Sequence, residues 1–210
     1  EITYDEMLDL ATCGAGVLHN RSVEMAKKYG VPLVVRSSLN NSEGTIVKEV
    51  TSVERMLISG VALDENAARI SVMGLKDEPG IAFKLFNLLA KNNVNVDIIL
   101  QSIGREKTKD ISFTVAEDEA DEAVAIIQKS FPKSEYNKID EEKDVAKISI
   151  VGAGMMTHPG VAASMFEALY DAGVNIKMIS TSEIRVTVLI DEKYTEKALN
   201  AVHDKFALGD

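Results

Sequence analysis

Tryptophan is absent, cysteine occurs once, at Cys13, and proline occurs four times in 210 residues. A single cysteine excludes an internal disulfide and suits a reducing compartment such as the cytoplasm. His19, His158 and His203 lie too far apart for metal-ligand spacing. No run of about 18 apolar residues occurs, so no membrane-spanning helix is expected. The N-terminus, EITYDEMLDL, is acidic and lacks the basic-then-apolar pattern of a secretion signal. It also lacks an initial Met, which fits an excised piece of a longer chain. Positive charge is scarce: 23 Lys and Arg against 33 Asp and Glu leave a net charge of -10. Such a balance offers no electrostatic footprint for nucleic acid or an anionic membrane. No Ser-His-Asp set, phosphate-binding P-loop or metal motif occurs, so this stretch is not expected to catalyse alone or to hold a cofactor or metal.

What is present is an internal repeat. ARISVMGL, DEPG, a helical pattern and NNVNVD are followed by AKISIVGAG, THPG, a helical pattern and AGVNIK. Pro79-Gly80 corresponds to Pro159-Gly160, Phe86 to Phe166, Leu89 to Leu169 and Val94-Asn95 to Val174-Asn175, at one offset of 80. That period is too long for a solenoid unit and suits a duplicated small domain.

Both copies read alike. In the first, Ile70 to Met73 is a buried strand, and Ile81, Leu85, Leu88 and Leu89 line one face of a helix started by Asp77, Pro79 and Gly80. Asn92-Asn93 stops that helix. Residues 95–103 read as a second strand, 104–110 as a polar turn and 111–115 as a third strand. Residues 117–130 form a second helix, and 134–139 a fourth strand. In the second copy the strands are 147–151, 175–180 and 185–190, with helices over 159–171 and 195–206. Its connection between strands two and three is about five residues shorter. The order is βαββαβ, a ferredoxin-like α+β arrangement. The second copy lacks a fourth strand, and MLISGVAL, residues 56–63, is a candidate to supply it. Residues 1–50 differ: a broken helix over 4–29 and a short strand over 31–36 read as the end of an α/β layer.

Two readings stand for Asp77-Glu78-Pro79-Gly80 and Thr157-His158-Pro159-Gly160. One is a plain helix entry, with Pro in the first turn behind a capping residue. The other uses the same geometry to bind a ligand. Unpaired N–H groups and the positive end of the helix dipole suit a carboxylate, Gly lets it approach, and Asp77 suits an ammonium. Asn95 and Asn175 are likewise either turn residues or amides that reach the ligand. Gly152-Ala153-Gly154 follows a strand as a dinucleotide fingerprint does, but Thr157 stands where the third glycine belongs, so nucleotide binding is not expected. Cys13 reads as a small buried residue.

LKDEPGIAFKLFNLLAKNNVNVDIILQS resembles the first ACT domain of monofunctional aspartate kinases. KISIVGAGMMTHPGVAASMFEALYDAGVNIKMISTSEIRVTVLI resembles their second, and EMLDLATCGAGVLHNRSVEMAKKYGVPLVVRSS resembles the segment that closes their kinase domain. The resemblance implies residues 1–50 as a kinase-domain remnant, 65–143 as one ACT domain, and 53–64 with 147–210 as the other. It implies an intact enzyme that phosphorylates L-aspartate with ATP and Mg on the way to lysine, threonine and methionine. The family's N-terminal lysine-glycine-glycine signature is absent from this stretch, so it is expected to be inactive alone. Effector contacts, with lysine or threonine as effector, carry over to Asp77, Glu78, Pro79, Gly80, Ile81, Ala82, Asn95, Val96, Asp97 and Gln101. In the second copy they fall on Val161, Ala162, Asn175, Ile176, Thr181, Ser182 and Glu183. Ala162 stands where some relatives have Thr, so the second site loses a hydroxyl. Partners implied are an amino-acid effector, the kinase domain or subunit, and a second copy paired through ACT domains. A free-standing sensor or regulatory subunit, and a purely structural dimerisation module, are the alternatives.

Overall fold

The computed structural model describes residues 1–49, 57–103 and 108–208. The chain divides into a terminal unit, Glu1–Glu65 with Ala146–Asp210, and a central unit, Asn66–Val145.

The terminal unit begins with β1 (Ile2–Thr3), α1 (Tyr4–Thr12), α2 (Asn20–Tyr29), β2 (Leu33–Val35) and β3 (Thr45–Lys48). Thr3 and Glu6 close a reciprocal capping box that starts α1. Gly30, left-handed at φ 64°, ends α2. β3 lies between β1 and β2, parallel to the first and antiparallel to the second. The expected strand over 31–36 shortens to β2, and β1 and β3 were not anticipated, because two to four residues are too few to show a period.

The strand β4 (Gly60–Lys76) runs unbroken where two separate strands were expected. Residues 60–65 belong to the terminal unit and 66–76 to the central one. Met56, in the anticipated strand over 56–63, lies outside the described residues. The central unit continues with α3 (Ile81–Lys91), β5 (Ile99–Ile103), β6 (Thr108–Val115), α4 (Ala120–Ser130) and the first part of β7 (Lys138–Val151). The rest of β7 opens the second copy, followed by α5 (Val161–Asp171), β8 (Met178–Thr181), β9 (Arg185–Asp191) and α6 (Thr195–Lys205).

Strand order is β5-β6-β4-β7 through the central unit and β4-β7-β9-β8 through the terminal one. Numbered within each copy, both read 2-3-1-4, the ferredoxin-like order. The segment over 60–65 takes the fourth place in the terminal unit, beside β7. Two cross-strand devices recur. Arg69 pairs with Glu142 at 2.8 Å in the central unit, and Lys147 with Asp64 at 2.8 Å in the terminal one. The hydroxyls of Ser71 and Ser112, and of Ser149 and Thr187, meet at 2.8 Å between each copy's first and third strands. Each pair shields polar side chains from an unsatisfied burial. The helices cover one face of each sheet, over cores that include Ile70, Leu85, Phe113 and Ile127 in one unit and Ile148, Met165, Val188 and Val202 in the other.

Several edges differ from expectation. Pro79 and Pro159 lie outside their helices, whose N-caps are Gly80 and Gly160 with no side-chain cap bond. Asn95 and Asn175 precede their strands, which open at Ile99 and Met178. The third strand begins at Thr108, inside the expected turn, whose residues 104–107 lie outside the described ones. Lys133–Glu135 is a 3-10 turn, so the fourth strand starts at Lys138 instead of 134.

Candidate functional site

The first helix start follows β4 directly. The Glu78 N–H donates to the Lys76 carbonyl at 2.9 Å, and the Ile81 N–H to the Glu78 carbonyl at 3.3 Å, folding 77–80 into a tight turn. Gly80 has φ 92°, a left-handed conformation that glycine adopts without a Cβ penalty. A Cβ built there would meet nothing within 4 Å. The glycine is therefore required by its backbone angle, and the space above it is open. With no capping side chain, the first-turn N–H groups, including that of Ala82, have no intrahelical acceptor. Glu78, Pro79 and Gly80 are exposed, Ala82 is half-buried, and Ile81 anchors the turn in the core. Asp77 is engaged by Lys109 at 2.8 Å, a partner supplied by β6.

The second helix start repeats the backbone and changes the chemistry. Gly160 has φ 100°, again with nothing within 4 Å of a built Cβ. Two additional residues, Ala153 and Gly154, fold into a 3-10 turn over Ala153–Met156. Thr157 and His158 replace the two carboxylates. The Thr157 hydroxyl donates to the Gly154 carbonyl at 3.2 Å, and His158 Nδ1 stands 3.0 Å from the same oxygen. The His158 ring is thus tied back to its own turn. Val161 is buried and Ala162 half-buried.

The other expected contacts gather elsewhere. Asn95 is exposed, and its N–H donates to Glu119 at 3.3 Å. The Asp97 N–H donates to the Thr114 carbonyl at 3.0 Å, and the equivalent Lys177 N–H to the Leu189 carbonyl at 2.8 Å. Register measures the separation. Lys76, at the helix start, is opposite Thr108, whereas Asp97 meets Thr114, six residues further along β6. At about 3.4 Å per residue the two groups lie roughly 20 Å apart within one module. The second copy repeats this: the Gly152 N–H meets the Ile184 carbonyl, near one end of β9, and Lys177 meets Leu189, near the other. Hence Asp77 to Ala82 and Asn95 to Asp97 do not converge inside a module, nor do Val161 and Ala162 with Asn175 and Ile176.

Gln101 and Thr181 hold equivalent edge positions. Gln101 stands opposite Ile111 and Thr181 opposite Val186, both on the helix-covered face and both exposed. Ser182 and Glu183 form the exposed turn between β8 and β9. Lys109, Glu119 and Glu6 were not foreseen. In sequence Lys109 falls in the expected polar turn among other charges, and only the pairing of β4 with β6 brings it to Asp77. Among the described residues no group of three or more His, Cys, Asp or Glu side chains is placed to hold a metal ion. Nor is any helix there long and apolar enough to cross a membrane. Cys13 is buried, as expected, with Arg185 Nη1 at 3.5 Å from its sulfur.

Comparison with known proteins gives one family. The ACT domain family model matches residues 70–131 and again 148–206. The chain is 46% identical over 213 residues to an aspartokinase of Helicobacter pylori, a match covering 99% of this chain and 52% of that protein. It thus spans about half the length of the curated relatives it matches. A crystal structure of aspartokinase alpha and beta subunits is 43% identical with a TM-score of 0.67, covering 72% of this chain and 99% of that one. The ligand-free regulatory subunit of aspartate kinase from Thermus thermophilus is 41% identical with a TM-score of 0.66, covering 71% and 99%.

Proposed function

This chain belongs to the ACT domain family, among the regulatory regions of aspartate kinases, and from that premise we propose that it senses an end-product amino acid and inhibits an aspartate kinase. The intact protein would transfer phosphate from ATP, with Mg, to the side-chain carboxylate of L-aspartate. Those groups would be held by the remainder of the protein, which residues 1–49 would join to the sensing modules. Lysine or threonine is the effector we assign.

The observation that carries the reading is the repeated glycine-capped helix start with open space above it. A free amino acid's carboxylate suits those N–H groups and the positive end of the helix dipole. The roughly 20 Å between helix start and Asn95 segment within one module then favours a site shared by two copies of the chain, one giving the helix start and the other the Asn95 to Gln101 segment. The edge strands β5 and β8, with exposed Ile99, Leu100 and Ile179, offer the surfaces for side-by-side pairing in a homodimer. An ammonium arriving at Asp77 would share or displace Lys109. Effector binding shifts the kinase only through differential affinity for its active and inhibited arrangements.

The test is calorimetric titration of the chain with lysine, threonine, methionine and aspartate, singly and in pairs. Saturable binding of lysine or threonine with aspartate inert is expected. A folded protein that binds none of them would refute the sensing role. A separate regulatory subunit is the second reading, favoured because two of the matched structures are subunit chains covered almost entirely by this one.

A further inference from the structure

We infer that Glu6 couples the helix-start loop of the second module to the N-terminal segment, acting as a positioning residue for regulation. The inference rests on effector binding as proposed above. Glu6 is 5% exposed, and both of its oxygens are in use. Oε1 accepts from the Ser59 hydroxyl at 2.7 Å and from the Ala153 N–H at 2.9 Å. Oε2 accepts from the Thr3 N–H at 3.0 Å and the Thr3 hydroxyl at 2.8 Å. One carboxylate thereby ties the start of α1, the entry to β4 and the first residue of the 3-10 turn that leads to Pro159-Gly160. Charge-assisted bonds of this kind are among the stronger ones, and leaving one unmade in a buried place is costly.

The packing around these bonds has little slack. A Cβ at Gly152 would come within 2.5 Å of the Leu57 carbonyl oxygen, and one at Gly60 within 3.1 Å of the Leu10 side chain. At Gly14, with φ 103°, it would overlap the Leu63 carbonyl. A ligand that moves residues 152–160 must therefore carry Glu6 and α1 along or break the Ala153 bond. Among the described residues the first copy has no such tie. The Gly74 N–H in its corresponding turn donates to Asp110 of its own module at 2.7 Å, and Asp77 is held by Lys109. The two loops thus divide the work: one is closed on itself, and the other is joined to the segment that precedes the modules.

The experiment is hydrogen exchange on the chain with and without saturating lysine and threonine, for the wild type, Glu6→Gln and Ala153→Pro. The proline removes the N–H donor. Gly152 is extended at φ 178° and ψ 131°, which suits a residue before proline, and Ala153 is the first residue of its turn. In the wild type, effector should change α1 amide exchange about fivefold or more. In Ala153→Pro that change should vanish while calorimetry still finds the effector bound. An equal α1 response in both variants and the wild type would overturn the coupling. Absence of binding heat in the wild type would overturn the proposed function, and the inference would fall with it.

Discussion

The two modules share a skeleton and differ in how their helix starts are tied. Gly80 and Gly160 have φ of 92° and 100°, and the Val94 and Val174 N–H groups close onto Leu89 and Leu169 in the same way. The hydroxyl pair and the strand-one ion pair recur as well. At the exposed turn before each helix the likeness stops. The first carries Asp77, Glu78 and the Lys109 partner, whereas the second carries Thr157 and His158, folded back on Gly154. Positions that backbone geometry and burial constrain have kept their character across the duplication. Positions in the exposed turns have not, so equal folds need not mean equal ligands.

Breaking the shared part has the largest expected effect. Leu85 and Met165 are equivalent and fully buried. Truncating either to Ala should cost about 2–5 kcal/mol, with similar losses in the two modules. Urea unfolding checks it. Next, Lys147→Ala should cost more than Arg69→Ala, because the Lys147 side chain is 11% exposed against 25% for Arg69. Both should stay below the roughly 3–5 kcal/mol of a fully buried pair, again read from urea midpoints. Gly80→Ala and Gly160→Ala meet no atoms and carry only the left-handed penalty, about 1–2 kcal/mol each.

The unlike part is probed by smaller changes in stability. Asp77→Ala removes a half-exposed ion pair and should cost under about 1 kcal/mol. It should nevertheless weaken lysine binding about 10-fold, whereas Thr157→Ala should leave lysine affinity within about twofold. Equal losses in a titration of the two variants would erase the distinction. A pH difference between the units is also expected. Burial pushes the Glu6 carboxyl up, but bonds from Ala153, Ser59 and Thr3 outweigh it and hold the group below its usual range. Its stabilisation is complete above the ordinary glutamate pKa and is lost as pH falls through the lowered folded value. Acid should weaken the terminal unit less in Glu6→Gln than in the wild type, seen as a flatter dependence of urea midpoint on pH.

Much of this was legible in sequence where residues repeat with a period. The offset of 80, the apolar stripe of α3, and the Asn92-Asn93 and Gly80 signals located helices within a residue or two. Errors fell where local pattern and ladder part company. Asn95-Val96-Asp97 looks strand-like, yet the ladder opens at Ile99, because strand ends are set by the neighbour's hydrogen bonds and not by β propensity. Residues 60–76 looked like two strands since each half faces a different module's core. For the candidate site, the glycine turns and Asp77 could be named from spacing. Lys109, Glu119 and Glu6 could not, since each reaches its partner from another element.

By itself the sequence determined the duplication, the α+β class, the glycine-initiated helices and the charge contrast between the two turns, because these depend on residue identity and near spacing. Tertiary structure alone decided that helix start and Asn95 segment stand at opposite ends of a module, and that Glu6 reaches Ala153. The reason is physical: strand pairing and buried hydrogen bonds join residues far apart in the chain, and no local pattern records which of the available partners will be brought within 3 Å.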